Sequence, residues 1–194
     1  MKKLIKKAIK QFLGIPVHLS LKELLVKHDI KGDIDSANGN FCYINNKGSI
    51  KVASNVQFIS EPNGSIFKVA LSTYLPDSEL FIGSNCKLHG VVIHCNEKIT
   101  IGNNCLLGPG VILCDNNSHR VSVNYEERMK SPASAPIVLE DNVWIGMNSI
   151  VLKGVTIGEN SIVAAGSVIT KNLPANGLYG GNPAKFIKVI DSID

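Results

Sequence analysis

The sequence predicts an all-β solenoid wound as stacked parallel coils, and three observations predict it. Aliphatic residues return every sixth position, small or β-branched residues hold the fifth place of the same hexads, and the period breaks at identifiable points. Residues 139–173 read LEDNVW, IGMNSI, VLKGVT, IGENSI, VAAGSV and ITKNL, led by Leu139, Ile145, Val151, Ile157, Val163 and Ile169. A helix turns about 100° per residue, so leads six apart would rotate by about 240° each time and build no apolar stripe. Six is a whole number of two-residue pleats, so a short strand plus a bend returns every lead to one face. The fifth-place residues Val143, Ser149, Val155, Ser161 and Ser167 are expected at the bends. Three bends per circuit give coils of about eighteen residues.

The register continues upstream. Ile101, Leu107 and Leu113 lead three more hexads, and Ile82 and Leu88 lead two before them. Nineteen residues from Ile82 to Ile101 exceed one coil by one, which predicts a bulge within residues 94–100. Twenty-six residues separate Leu113 from Leu139. Set against a coil of about eighteen, roughly eight are surplus, and they predict a protruding loop over residues 115–136. Residues 52–56 form a degenerate hexad, and residues 61–80 hold strands without clean repeats, as terminal coils do. The organisation is one domain: a basic amphipathic helix over 1–14, irregular coils over 15–80, the hexad β-helix over 81–173 and a tail over 174–194.

Composition narrows the function classes. The 194 residues, 44% of them hydrophobic, suit one long narrow core, and no stretch approaches the ~20 apolar residues of a membrane span. Five cysteines without a CxxC give no metal-ligand spacing. Cys86 and Cys105, both at the fifth hexad place, read as reduced packing residues of a cytoplasmic protein. Of the net charge of +4, five positive charges belong to Lys2, Lys3, Lys6, Lys7 and Lys10, which leaves −1 for the rest. No basic stripe with stacking aromatics remains to bind nucleic acid. The lysines alternate with Leu4, Ile5, Ala8, Ile9, Phe12 and Leu13 along a helix ending near Gly14. Two readings stay open: peripheral contact with the inner face of a membrane, and a helix packed on the solenoid end with its lysines solvated.

A wall of near-identical coils carries little chemistry of its own, so the loop is where chemistry is expected. His119 is its one titratable group whose unperturbed pKa is close to neutral. It could take a proton from a hydroxyl or amine nucleophile, or be an ordinary exposed loop histidine. Asp115, Glu126 or a backbone carbonyl would orient the imidazole.

The runs Asn142-Val-Trp144-Ile-Gly146, Gly154-Val-Thr-Ile-Gly158, Ala165-Gly-Ser167, Thr170-Lys171 and Gly181-Asn-Pro-Ala-Lys185 resemble the hexapeptide-repeat acyltransferases. The likeness covers roughly residues 80–190 and is nearest to the sugar O-acetyltransferases of the maltose, galactoside and polysaccharide branch. It implies a left-handed parallel β-helix, although the general crossover preference alone would favour the right-handed form. It also implies a homotrimer with acetyl-CoA along the seam between neighbours, and a glycan or sugar hydroxyl as acceptor. The family's loop histidine falls on His119 as general base, and its tryptophan falls on Trp144, which would wall the acceptor and thioester region. Met147, Ala165, Thr170 and Lys171 match positions along the pantetheine arm, and Lys185 and Lys188 match residues that meet the CoA phosphates. Two lysines after a Gly-Gly-Asn-Pro turn also offer charge and backbone donors to an anion in their own right.

The departures are equally specific. Where the maltose and galactoside branch carries an asparagine before the loop, this chain reads Lys87-Leu-His89-Gly90, so His89 either stands in as a polar group of the pocket or packs in the coil. Met147 replaces a serine of some relatives and leaves only backbone contact there. The N-terminal segment does not match the one small-sugar enzymes set against their acceptor.

These features give acetyl transfer from acetyl-CoA to a sugar hydroxyl of surface polysaccharide or other glycan, without a metal, in the cytoplasm or at the inner face of its membrane. Amine acetylation of the xenobiotic type would use the same His119. A zinc enzyme like the γ-carbonic anhydrases would draw on His89, His94 and His119, but that family orders its histidines oppositely and lacks the GNPAK tail. A non-catalytic solenoid would have no reason to keep both a histidine loop and an anion-binding tail.

Overall fold

The computed structural model describes residues 36–38, 42–60 and 68–190, and within them the chain is a parallel β-helix of triangular section. The expected helix over 1–14 lies outside the described residues. Eight strands, from Ser36–Asn38 to Lys185–Val189, stack as face I. Six, from Cys42–Asn46 to Val168–Ile169, form face II, and five, from Ser49–Val52 to Thr156–Ile157, form face III. Each circuit visits the faces in that order, and every neighbouring pair is parallel except the last, where Lys185–Val189 returns antiparallel on Gly177–Gly180. No helix among the described residues is long and apolar enough to cross a membrane.

The hexad is built one step differently from the expectation. In the strand around Trp144, Val143 points in and is fully buried, Trp144 points out, and Ile145 points in again. The lead therefore closes a three-residue in-out-in strand rather than opening one. The fifth-place residues are core, not bend: Val143, Ser149, Ser161 and Ser167 are all fully buried. The serine hydroxyls are satisfied by donating to the carbonyls of Ala164, Pro174 and, from Ser167, Ala164 again. The bend falls at the fourth place, where Asn142, Asn148, Gly154, Asn160 and Gly166 take φ between +56° and +77°. That region costs most L-residues about 1–2 kcal/mol and suits only Gly and Asn routinely. The second place is restricted by approach rather than by φ. A Cβ on Gly146 would stand 2.5 Å from the amide nitrogen of Ala165 in the next coil.

The inside is a single column of aliphatic leads. Leu88, Ile93, Ile101, Leu113, Leu139, Ile145, Val151, Ile157 and Ile169 are all fully buried, each such side chain contributing about 1.5–3 kcal/mol by leaving water. Two- and three-residue strands are marginal alone, so the stacking of coils carries the fold.

The three corners differ. From face III to face I the interval between leads is always six: Val52 to Phe58, Ile82 to Leu88, Ile101 to Leu107, Leu139 to Ile145 and Ile157 to Val163. From face II to face III it is eleven from Leu71 to Ile82, eight from Ile93 to Ile101, twenty-six from Leu113 to Leu139 and six from Val151 to Ile157. Two expectations change accordingly. The surplus within residues 94–100 is two, offset by a step of five from Leu88 to Ile93 at Gly90. The loop replaces one hexad rather than one coil, since Ile101 pairs with Leu139, so its surplus is twenty residues and not eight.

Candidate functional site

The loop is anchored by Asp115. Its side chain is fully buried, and its two carboxylate oxygens accept from the amides of Asn96, at 2.7 Å, and Glu97, at 2.8 Å, in the two-residue corner one coil above. A buried carboxylate is tolerated because backbone donors replace its water. Expected as a pocket residue and a candidate to orient His119, Asp115 instead fixes the base of the loop. Its amide donates to the carbonyl of His94, and its carbonyl accepts from Ala135 across the loop's neck.

Beyond it the chain turns tightly. Asn116 Oδ1 accepts from the Ser118 amide at 2.8 Å, Ser118 is left-handed at φ +59°, and the His119 amide donates to Asn117 O at 2.6 Å. The His119 imidazole is exposed. The returning limb is tied by Asn117 N to Ala133 O, Arg120 N to Arg128 O and Arg120 Nε to Ser131 O. A helical turn, Tyr125–Arg128, is capped by the Asn124 side chain on the Glu127 amide. Val121, Val123, Tyr125 and Met129 are exposed along the same loop. The hydrogen bonds that hold the loop run within it or to its neck.

The predicted residues fall into two groups. At the corner from face II to face III stand Asp115, His119 and, lower down, the exposed Thr170 and Lys171. On face I stands Trp144, half exposed, in one outward row with Leu106, Ile162, Leu178 and, on the terminal strand, Lys188. Three strand spacings put Lys188 about 14 Å from Trp144. Lys185 begins the same strand beside Gly180, and His89 projects partly exposed from face I above. Met147 and Ala165 occupy the same place in successive coils at the corner from face I to face II, where Gly166 N donates to Met147 O. Trp144 and His119 therefore lie on different sides of one chain.

A further polar pair was not foreseen. Tyr74 Oη and His94 Nδ1 are 2.8 Å apart, with the two rings parallel within 5° and their centroids 5.7 Å apart. Twenty residues separate them in sequence, so only the coil register could have revealed the contact. Cys86, Cys95, Cys105 and Cys114 are free thiols. Cys86 and Cys105 are fully buried, and their thiols donate to the carbonyls of Gly102 and Glu140. Burial and the Asp115 carboxylate push the Cys95 thiol up to about 12, which makes it a poor nucleophile at neutral pH. Among the described residues no three or more of His, Cys, Asp and Glu are grouped to hold a metal ion.

Comparison with known proteins bears on this arrangement. The family model of the bacterial transferase hexapeptide (six repeats) matches residues 136–171. An acetyltransferase-assigned protein of Schizosaccharomyces pombe is 45% identical over 115 residues, which are 59% of this chain and 52% of that protein. The chain thus spans about half the length of that relative. An O-acetyl transferase assigned to lipopolysaccharide biosynthesis in Escherichia coli (strain K12) is 31% identical over 157 residues, covering 76% of this chain and 75% of the other. Among solved structures, a galactoside acetyltransferase in complex with coenzyme A superposes with a TM-score of 0.53 at 25% identity, over 88% of this chain and 70% of that one. The fold held in common is the left-handed parallel β-helix.

Proposed function

The chain belongs to the hexapeptide-repeat acyltransferases, and on that premise we propose that it moves the acetyl group of acetyl-CoA to a hydroxyl of a sugar or glycan. The observation that carries this reading is the loop: the one hexad of the regular wall replaced by twenty-six residues presents an exposed histidine on a buried anchor. The lipopolysaccharide and galactoside relatives support a sugar as acceptor.

In this reading His119 takes the proton of the acceptor hydroxyl as its oxygen attacks the thioester carbonyl. The tetrahedral oxyanion is held by a backbone N–H, and its collapse breaks the carbon–sulfur bond. The departing CoA thiolate recovers the proton from the imidazolium. Direct attack needs no acyl-enzyme: Cys95 is buried and its thiol pushed up, and the Cys114 thiol is turned onto the Asn116 carbonyl. Trp144 walls the acceptor and thioester region, Met147, Ala165, Thr170 and Lys171 meet the pantetheine arm, and Lys185 and Lys188 meet the phosphates. His89, on face I, stands in as a polar group of the acceptor pocket.

A homotrimer is part of this reading, and the separation of the two groups supports an assembly in which neighbours share the site. The loop of one copy brings His119 to the Trp144 face of its neighbour, which a ring of three identical heterologous contacts does at every seam. The reading places the protein in the cytoplasm, where acetyl-CoA is available.

The test is CoA release from acetyl-CoA by the purified full chain, with methyl galactoside, maltose and a polysaccharide as hydroxyl acceptors and the corresponding amino sugars as amine acceptors. Hydroxyl-dependent release with an acetyl ester in the product is expected. Release with amines only would replace O-transfer by N-transfer. Neither release nor CoA binding would remove the enzymatic reading.

A further inference from the structure

The corner between faces II and III holds a second feature beside the loop. Between Val69–Thr73 and Glu79–Ile82 the corner has five residues, between Val92–Cys95 and Lys98–Ile101 only two, and below that comes the loop. Asn96 and Glu97 thus form a short step between two longer projections, drawn in by the Asp115 carboxylate beneath. On the face II side of this step stand Tyr74, from the upper projection, and His94, both partly exposed. His94 is paired in register with Cys114, the last residue before the loop, and its carbonyl accepts from the Asp115 amide. His119 is four residues beyond Asp115, an extended reach of about 14 Å at most, which the turns at Asn116 and Asn117 shorten.

We propose that Tyr74 and His94 form the wall on which the acceptor sugar is received and oriented toward His119 of the same chain. This rests on the acetyl-transfer reading above. In this arrangement the phenol donates to Nδ1 and the ring N–H sits at Nε2, where it donates to a hydroxyl oxygen. The parallel stack restrains both rings, so the donor is preorganised and little side-chain entropy is lost on binding. His94 and Tyr74 are positioning residues: His119 removes the proton, and the pair decides which hydroxyl faces it. The acceptor site then lies within one chain, at its irregular corner, and the donor face comes from the neighbouring copy.

The experiment uses the full chain, methyl β-galactoside as acceptor probe and CoA release as readout. His94→Leu is expected to raise the acceptor KM roughly tenfold, the scale of one lost hydrogen bond to a bound hydroxyl, with acetyl-CoA KM within about twofold of wild type. His94→Gln, which restores a donor near the Nε2 position, is expected to recover most of that loss. Tyr74→Phe, which keeps the stack but frees the imidazole tautomer, should raise the acceptor KM about threefold. Unchanged acceptor KM in His94→Leu, equal rises for both substrates, or no recovery by Gln overturns the inference while acetyl transfer stands. A wild-type chain that releases no CoA with this probe overturns both.

Discussion

Two corners of the same helix behave oppositely. From face III to face I every step is six residues, and the same residue type recurs at the bend: Asn55, Asn85, Asn104, Asn142, Asn160 and Asn176 are all left-handed, with φ from +57° to +60°. Their side-chain amides form a ladder, Asn55 to Asn85 at 2.8 Å, Asn142 to Asn160 at 2.9 Å and Asn160 to Asn176 at 2.9 Å. From face II to face III no two of the four steps from Leu71 to Ile157 are equal, and here stand Tyr74, His94, Asp115 and His119. Uniform corners transmit register from coil to coil. Chemistry needs side chains that differ from their neighbours above and below, and the proposed function puts it at the corner where register is released.

The largest effect that sharpens this contrast is at His119. His119→Ala is expected to lower turnover by 10²- to 10⁴-fold with acetyl-CoA binding nearly intact, measured by steady-state CoA release and by titration. Equal activity would move the chemistry off the irregular corner. Next comes Asp115→Ala, which strips the amides of half-buried Asn96 and exposed Glu97 of their acceptor. A loss of about 1–3 kcal/mol in all is expected in denaturant unfolding, together with reduced activity because the loop's neck loosens. Retained stability would show that the loop is not tied to the wall through this carboxylate.

The uniform corner should respond more mildly and without loss of chemistry. Asn160→Ala places an alanine at φ +57° and breaks two rungs of the ladder, for about 1–2 kcal/mol of stability. Asn160→Gly relieves the backbone term and isolates the amide rungs. Smallest is the acid limb of stability. Hydrogen bonds from the Asn103 amide and side chain hold the exposed Asp141 carboxyl below the usual carboxylate range. A folded-state pKa below the unfolded value means stability that is present above about pH 4 and lost as pH falls through the lowered value. Asp141→Asn should therefore lower the melting temperature slightly at neutral pH, change it little well below about pH 4, and so flatten the decline between the two.

The regular corner was legible in the sequence and the irregular one only in outline. Period six and aliphatic leads are local, so the solenoid and the position of its break could be read directly. The hexad's inner order could not, because Ser149 or Val155 is equally small whether it sits in a bend or in a crowded core; only the in-out-in strand ending at Ile145 separates the two. The loop's surplus was misjudged because a break of one hexad and a break of one coil look alike until Ile101 is paired with Leu139. The roles of Asp115 and of the Tyr74–His94 pair depend on contacts between coils some twenty residues apart, where no local pattern announces a partner. Trp144 was singled out by its motif, and its place across the molecule from His119 is a matter of register alone.

That separation is the centre of the account, and mixing two defective chains tests it most directly. His119→Ala and Trp144→Ala proteins, each assayed alone and then after joint refolding, supply a histidine loop from one copy and a tryptophan face from another. Random assembly around a ring pairs an intact loop with an intact face at about one seam in four. CoA release recovering toward a quarter of the wild-type rate is the predicted result. Activity no higher than the sum of the separate mutants, in a mixture shown to have exchanged subunits, would contradict it.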